Sequence, residues 1–558
     1  MDKAQSSARD FAKAQQEFVD LFLRGHPVEG TQLGIPGAHD SRLSPADPRE
    51  RADLIDELTT RAHGLREASK ASVVLDDVVD GELAVAGVHG MRIVEDGLRP
   101  YARNPGVYVD EVARGIYSLL ARRDIPVEQK VGALTSRLLA TPDHLARGQR
   151  QVSGAPRVLV DNAIGDAEGA VQFLERELRD FVLALPEDSR KRDLEQARQG
   201  AVEAVRSFSQ FVVGLAATAT EEFALGREAF EALLHDVHQV PYTADQLAER
   251  GRDIAGDLEG ELEQAAVKAV KHPRWWEMAA AVEERHPSRA SLLDDYRRML
   301  EQAREFVQQH DLIDVTKVGP LVVQATPPFA RANLPFAAYV AAPPFAAGGH
   351  GEFWVTPPPD GISAEDERAV LRRHHQGRLL VSCVHEAYPG HHAQLDHASR
   401  VKRPLRHFFS STVFAEGWAL YCEHLMRREG FLMDTPDGPT LEISMLRDQL
   451  WRALRIVIDV GLHCDGMSRE QAVALLVDRH VLDRDSAESE VMFYCSAPTQ
   501  PMSYMVGRIL MTDVIEKCRV ARSGSDVPLG RVRDEVLSHG SLPFPLLERV
   551  LELDRRPV

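Results

Sequence analysis

The chain has 558 residues, enough for several domains, and its 44% hydrophobic and 27% charged content is ordinary for a globular protein. The 85 acidic and 66 basic side chains leave a net charge of −19, which excludes the cation surplus that nucleic acids and anionic membranes require; a single basic pocket inside an acidic shell stays compatible with it. The first residues lack the apolar core of a signal peptide, no run approaches about 18 apolar residues, and the five unpatterned cysteines read as reduced thiols in a cytoplasm.

Most of the chain reads as helix. Val171, Leu174, Leu178, Phe181, Val182 and Leu185 recur at three- and four-residue steps, a single apolar stripe that Pro186 terminates. Thr243-Ala-Asp-Gln246 and Ser468-Arg-Glu-Gln471 have the form of capping boxes, each opening a helix. Residues 319–360 break the pattern. Nine of the 32 prolines fall there (Pro320, Pro327, Pro328, Pro335, Pro343, Pro344, Pro357, Pro358 and Pro359) among three β-type runs, Leu321–Gln324, Ala337–Val340 and Glu352–Thr356. Because proline confines strands to edges, a small antiparallel sheet with an exposed rim is expected, and such a rim could pair with an extended peptide. Gly348-Gly-His-Gly351 reads as a turn, with a mobile lid as the alternative. A helix then starts at the N-cap Ser363 and runs towards Tyr388. The chain divides into an N-terminal helical half, residues 1–240, and a metal-binding half, residues 241–558, joined in one continuous two-lobed body.

The chemistry concentrates in His385-Glu386-Ala-Tyr-Pro-Gly-His391-His392 and the following Glu416-Gly-Trp-Ala-Leu-Tyr421. Imidazoles plus one carboxylate are the ligand set of a single catalytic zinc that keeps a position open for water. In a straight helix His392 would stand about 10.5 Å along the axis from His385, too far to share one ion through bonds near 2 Å. Pro389-Gly390 must therefore break the helix and fold the next imidazole back. His391 needs less distortion than His392 and is the expected ligand; His392 is the alternative, otherwise facing substrate. Glu416 is the expected third ligand, with Glu423, two turns on, as its competitor. A Cys383 thiolate is a further, weaker candidate. Glu386 is placed as the general base. Tyr504, then His463, are the candidate oxyanion donors, and Arg508, Arg455 and Tyr494 the candidate substrate-binding residues.

At these residues the chain resembles the bacterial domain-of-unknown-function family 885, a zincin-like helical group distantly similar to the Glu-zincin carboxypeptidases and oligopeptidases. The resemblance is carried by His385–His392, Glu416–Tyr421, Arg455-x3-Asp459-x-Gly461-x-His463 and Ser503-Tyr504-x2-Gly507. It implies a helical zincin-like metallopeptidase fold with the small sheet at the active-site cleft. It also implies one zinc ion on His385, His391 and Glu416, with Glu386 as base, and cleavage of short peptides. The chain departs from the implied pattern at Pro498-Thr-Gln-Pro501, where Pro-Gly-Gln-Ala is expected, at Met505 in place of Lys, and at Met467 in place of Trp. The leading expectation is thus a carboxypeptidase- or oligopeptidase-like zinc metallopeptidase that acts on short peptides and releases residues from a C-terminus, with no nucleic-acid or membrane partner. The alternatives are a zinc amidohydrolase for a small peptide-like metabolite, a non-haem iron oxygenase and a non-catalytic metal-binding protein.

Overall fold

Two helices replace the single one expected over residues 363–388. Ser363 caps the first, Ala364–Arg372, by accepting the Asp366 amide at 3.0 Å. His374 then turns into the core, where its ring nitrogens meet the Tyr296 hydroxyl and the Thr356 carbonyl, each at 3.0 Å. His375 restarts the chain as N-cap of Gln376–Glu386, its Nδ1 accepting the Arg378 amide. These side-chain hydrogen bonds replace helical ones that the corner gives up, so it forms without any glycine or proline.

The computed structural model describes residues 2–327, 330–331, 334, 336–522 and 527–553, so Pro328 and Pro335 of the proline-rich segment lie outside the described residues. Helices dominate it. Strands β1 (Leu321–Ala325), β2 (Ala337–Val340) and β3 (Gly351–Val355) form one sheet in the order β1-β3-β2. It is a mixed sheet, not the antiparallel one expected: β1 pairs with β3 in parallel, and β2 pairs with β3 antiparallel. The chain leaves β1, crosses to the outer edge as β2, and turns back into the centre as β3. Alternation within a strand reports which face is buried, not which neighbour it pairs with. Central β3 is buried on both faces, with Phe353 and Val355 at 0% exposure and Trp354 at 4%. The edge left to β2 faces the helix Gln376–Glu386. The expected turn is present, with Gly348 at a left-handed φ of 71°.

Both capping boxes form as expected, at Thr243/Gln246 and at Ser468/Gln471. The stripe from Val171 to Leu185 is not one helix: the chain breaks at Arg176 between Arg157–Glu175 and Glu177–Leu183, although Leu174, Leu178 and Val182 remain buried. One large core extends from Leu225 to Leu551 and takes in Val79, Leu83 and Val158 from the N-terminal part. A second core lies within residues 46–212, and a third joins the N-terminal helix Asp2–Gly25 to Leu405 and Phe408. Fully buried Asp80 ties the halves further, receiving Arg403 at 2.6 Å and Arg406 at 2.8 Å. Buried pairs of this kind fix one arrangement more than they add stability, because desolvation offsets most of the attraction.

Candidate metal centre

Gln376–Glu386 ends at Glu386, and His391–Ser399 begins four residues after Ala387. The segment between them carries the break expected at Pro389-Gly390. Gly390 is required there: a Cβ would stand 1.9 Å from the His385 carbonyl oxygen and 2.4 Å from that of Val384. The indole of Trp418 donates to the Pro389 carbonyl at 2.9 Å, pinning the break to the next site helix, Thr412–Arg428. The two imidazoles are thereby brought to a centroid separation of 4.8 Å, nearly perpendicular.

Glu416 completes the cluster. Its Oε2 lies 3.5 Å from His385 Nε2 and 3.3 Å from His391 Nε2, and the ligand atoms of the three residues lie within 4.8 Å of one another. Ligand atoms around a tetrahedral ion with bonds near 2.1 Å stand about 3.4 Å apart, so this donor set fits zinc. Two further observations agree. The buried Glu416 Oε2 makes no well-formed hydrogen bond, although it faces both imidazoles. With His385 Nδ1 donating to Glu423, the neutral ring turns its Nε2 lone pair towards that oxygen, and only a proton or a cation can separate them. Burial opposes a charge on His385, but the facing carboxylates of Glu416 and Glu423 outweigh burial and push its pKa up to about 10, so a proton is favoured at the place a cation would take. Glu416 is held well below the ordinary carboxylate range; burial alone would raise it, and the facing His391 and His385 reverse that effect.

Glu423 is not a rival ligand. It accepts His385 Nδ1 at 2.7 Å and is fully buried, so the two-turn spacing delivers one carboxylate to each nitrogen of the same ring. A carboxylate on the far nitrogen of a metal-binding histidine fixes its tautomer and strengthens it as a ligand. The spacing from Glu416 was the available signal, read as competition. His392 is set aside from the cluster, with its ring nitrogens on the Tyr339 hydroxyl at 3.1 Å and the Gly319 carbonyl at 3.0 Å. Cys383 is also apart. It is buried beside the Tyr296 carbonyl, and burial pushes its thiol well above the ordinary range. Glu386 accepts the Tyr339 amide of β2 at 3.2 Å, so the sheet edge reaches the carboxylate next to the cluster. Nothing in the sequence pointed to that contact.

The later motif builds support behind the site. Gln500–Ala521 carries Tyr504, whose ring stacks on His385 at 5.9 Å and whose hydroxyl receives Gln500 Nε2 at 3.3 Å. Burial first, then the Glu416 charge, raises the Tyr504 pKa beyond its ordinary value, so its hydroxyl keeps its proton. Asp459 caps the start of that helix, accepting the amides of Thr499 at 3.2 Å and Met502 at 3.1 Å. Thr499 holds φ at 69°, a left-handed value costly for a β-branched residue, at the position where the sequence resemblance expects glycine. Its hydroxyl meets His238 Nε2 at 2.9 Å.

Four of the expected site residues are engaged with other partners. His463 lies at 1% exposure with Nε2 on the Tyr494 carbonyl at 3.0 Å and Nδ1 facing the Leu225 amide at 3.3 Å, so both ring nitrogens are taken up within the core. Arg455 and Tyr494 bind each other rather than substrate. Arg455 Nε donates to the Tyr494 hydroxyl at 2.8 Å and its Nη2 pairs with Glu490 at 2.8 Å, while Tyr494 is fully buried. The Arg455 guanidinium lies over the Tyr504 ring, 4.6 Å from its centroid. Arg508 donates to Gln449 Oε1 at 2.6 Å.

Two solved structures share this fold. A protein from Shewanella oneidensis described as "a putative lipoprotein of unknown function" is 21% identical, with a TM-score of 0.77 over 97% of this chain and 99% of its own. A protein from Colwellia psychrerythraea described as a "putative lipoprotein" is 17% identical, with a TM-score of 0.81 over 99% of this chain and 100% of its own. No curated protein matches the chain. Residues 27–551 match the family model described as "Bacterial protein of unknown function (DUF885)", and the chain belongs to that family.

Proposed function

We propose that the protein is a zinc-dependent hydrolase that cleaves peptide bonds of short peptides, using its helical body and edge strand in the manner of the zincin metallopeptidases. The observation that carries this reading is one cluster in which the Glu416 carboxylate lies 3.5 Å from His385 Nε2 and 3.3 Å from His391 Nε2, with Glu386 next to His385 in the chain. His385, His391 and Glu416 would hold the ion, and bound zinc would supply an acidified water and polarise the substrate carbonyl. Glu386 takes the proton of the attacking water and passes it to the leaving amine nitrogen. The Tyr339 amide steadies Glu386 between the two transfers. Tyr504, kept protonated by burial, donates to the oxygen that gains charge. An iron oxygenase has no use for a base fixed beside the metal, which ranks that alternative lower.

The outer edge of β2 supports the choice of an extended substrate. Tyr339 already turns its amide outwards, so a peptide laid along that edge meets main-chain partners next to Glu386. The five unpaired thiols, four of them buried, support a reducing compartment. Recovery of the native protein in the membrane fraction of cells would remove that part of the proposal. The decisive experiment compares zinc-loaded wild type with Glu386→Gln on a peptide library. Turnover should fall by roughly a hundredfold to ten-thousandfold while zinc content stays the same. Equal cleavage by both proteins would show that the base is misassigned.

A further inference from the structure

A cavity of about 560 Å3 lies beside the amino end of β2, where Phe336, Arg372, Arg373, Arg378 and Arg447 line it. Only two lining residues, Glu283 and Asp483, are acidic, so four guanidiniums face two carboxylates in a chain whose net charge is −19. Arg372 already pairs with Glu284, which Arg368 shares, so that neighbour brings a second cation with its carboxylate. Arg447 pairs with Glu283 at 3.0 Å. The partner of Arg378, Asp448, stands at 3.3 Å and is shared with Arg452 at 2.7 Å. Burial, joined by Arg447 and Arg378, pushes the lining His375 well below its ordinary pKa, so it adds no charge of its own. Trp276 and His480, stacked at 4.6 Å, add an aromatic wall.

Two independent rulers place this cavity relative to the metal cluster. Phe336, the residue just before β2, precedes Tyr339, the residue bonded to Glu386, by three positions, or roughly 10 Å if that chain is extended. Along Gln376–Glu386, Arg378 precedes His385 by seven positions, two turns on the same face and again about 10 Å. The Arg378 guanidinium lies 5.1 Å from the Phe336 ring, which joins the two rulers at one end. An extended peptide on the β2 edge would therefore reach the guanidiniums about three residues from the reacting carbonyl.

We propose that this cavity binds a carboxylate of the substrate, supplied either by an acidic side chain or by the C-terminus, about three residues from the bond that is cut. The inference rests on the peptide-hydrolase reading and names the substrate class for it. The test uses the full chain with zinc and two peptide arms: Glu against Gln at the third residue from the scissile bond with an amidated terminus, and free against amidated terminus with neutral side chains. The charged member of one arm should be cleaved about tenfold or more faster in kcat/KM, the usual yield of a charge-assisted hydrogen bond, and that arm names the source. Arg447→Gln and the exposed Arg373→Gln should abolish the preference while neutral peptides are cleaved as before. Cleavage with no charge preference in either arm overturns the pocket and leaves the hydrolase standing. If no peptide is cleaved, the hydrolase reading falls and calorimetry decides the pocket alone. Tighter binding of acetyl-Ala-Ala-Glu-amide than of its Gln counterpart, lost in both variants, would support it, and equal binding would overturn it.

Discussion

Glu423 illustrates how much a single buried carboxylate can decide. It never approaches the candidate ion, yet it sets which nitrogen of His385 carries a proton and which is free to bind. Replacing it by Gln keeps the shape and removes the charge. Zinc affinity of Glu423→Gln, measured by competition with a chelator, should fall about tenfold to a hundredfold. Unchanged affinity would mean that the Glu423 contact is incidental. His385, His391, Glu386 and Glu416 were all legible as a motif because their types and spacing are local. His463, Arg455 and Tyr494 were misread for the opposite reason. Their partners come from distant segments (Leu225, Glu490), and residue type alone does not say whether a buried polar group faces a ligand or its own main chain.

At the scale of elements, the site depends on two helices approaching more closely than side chains permit. Thr412–Arg428, bearing Glu416, meets Gln500–Ala521, bearing Tyr504, at Gly417 and Gly507. A Cβ on Gly507 would lie 2.0 Å from the Val413 carbonyl oxygen and 2.6 Å from the Gly417 Cα. Main-chain atoms cannot step aside as a flexible side chain can, so Gly507→Ala must push the helices apart. We expect a loss of about 1–3 kcal/mol, seen as a lower Tm, together with reduced turnover as Tyr504 leaves His385. An unaltered Tm would contradict this packing. Gly417 stands beside Glu416 in the motif, but its partner glycine, 90 positions on, is visible only once the helices are placed.

Across the whole molecule, buried neutral histidines make stability depend on pH. Burial pushes His26, His238, His374 and His463 each down to about 4. The unfolded chain takes up these protons below the ordinary value of about 6.5, whereas the folded chain refuses them until about 4. The stability that these four groups contribute is therefore complete above pH 6.5 and declines as the pH falls towards 4, each with a slope of about 1.4 kcal/mol per pH unit inside that window. Thermal melts from pH 7.5 to 4.5 should show Tm dropping steadily below 6.5; a flat profile would mean that these imidazoles are charged in the fold. The amino-acid sequence by itself determined the helical class, the capping boxes, the broken helix at Pro389-Gly390 and the residues of the cluster, because periodicity, caps and helix breakers act within a few positions. The tertiary structure alone decided the strand order, the corner at His374, the second carboxylate on His385 and the arginine-lined cavity, because each depends on segments that meet only after the chain has packed.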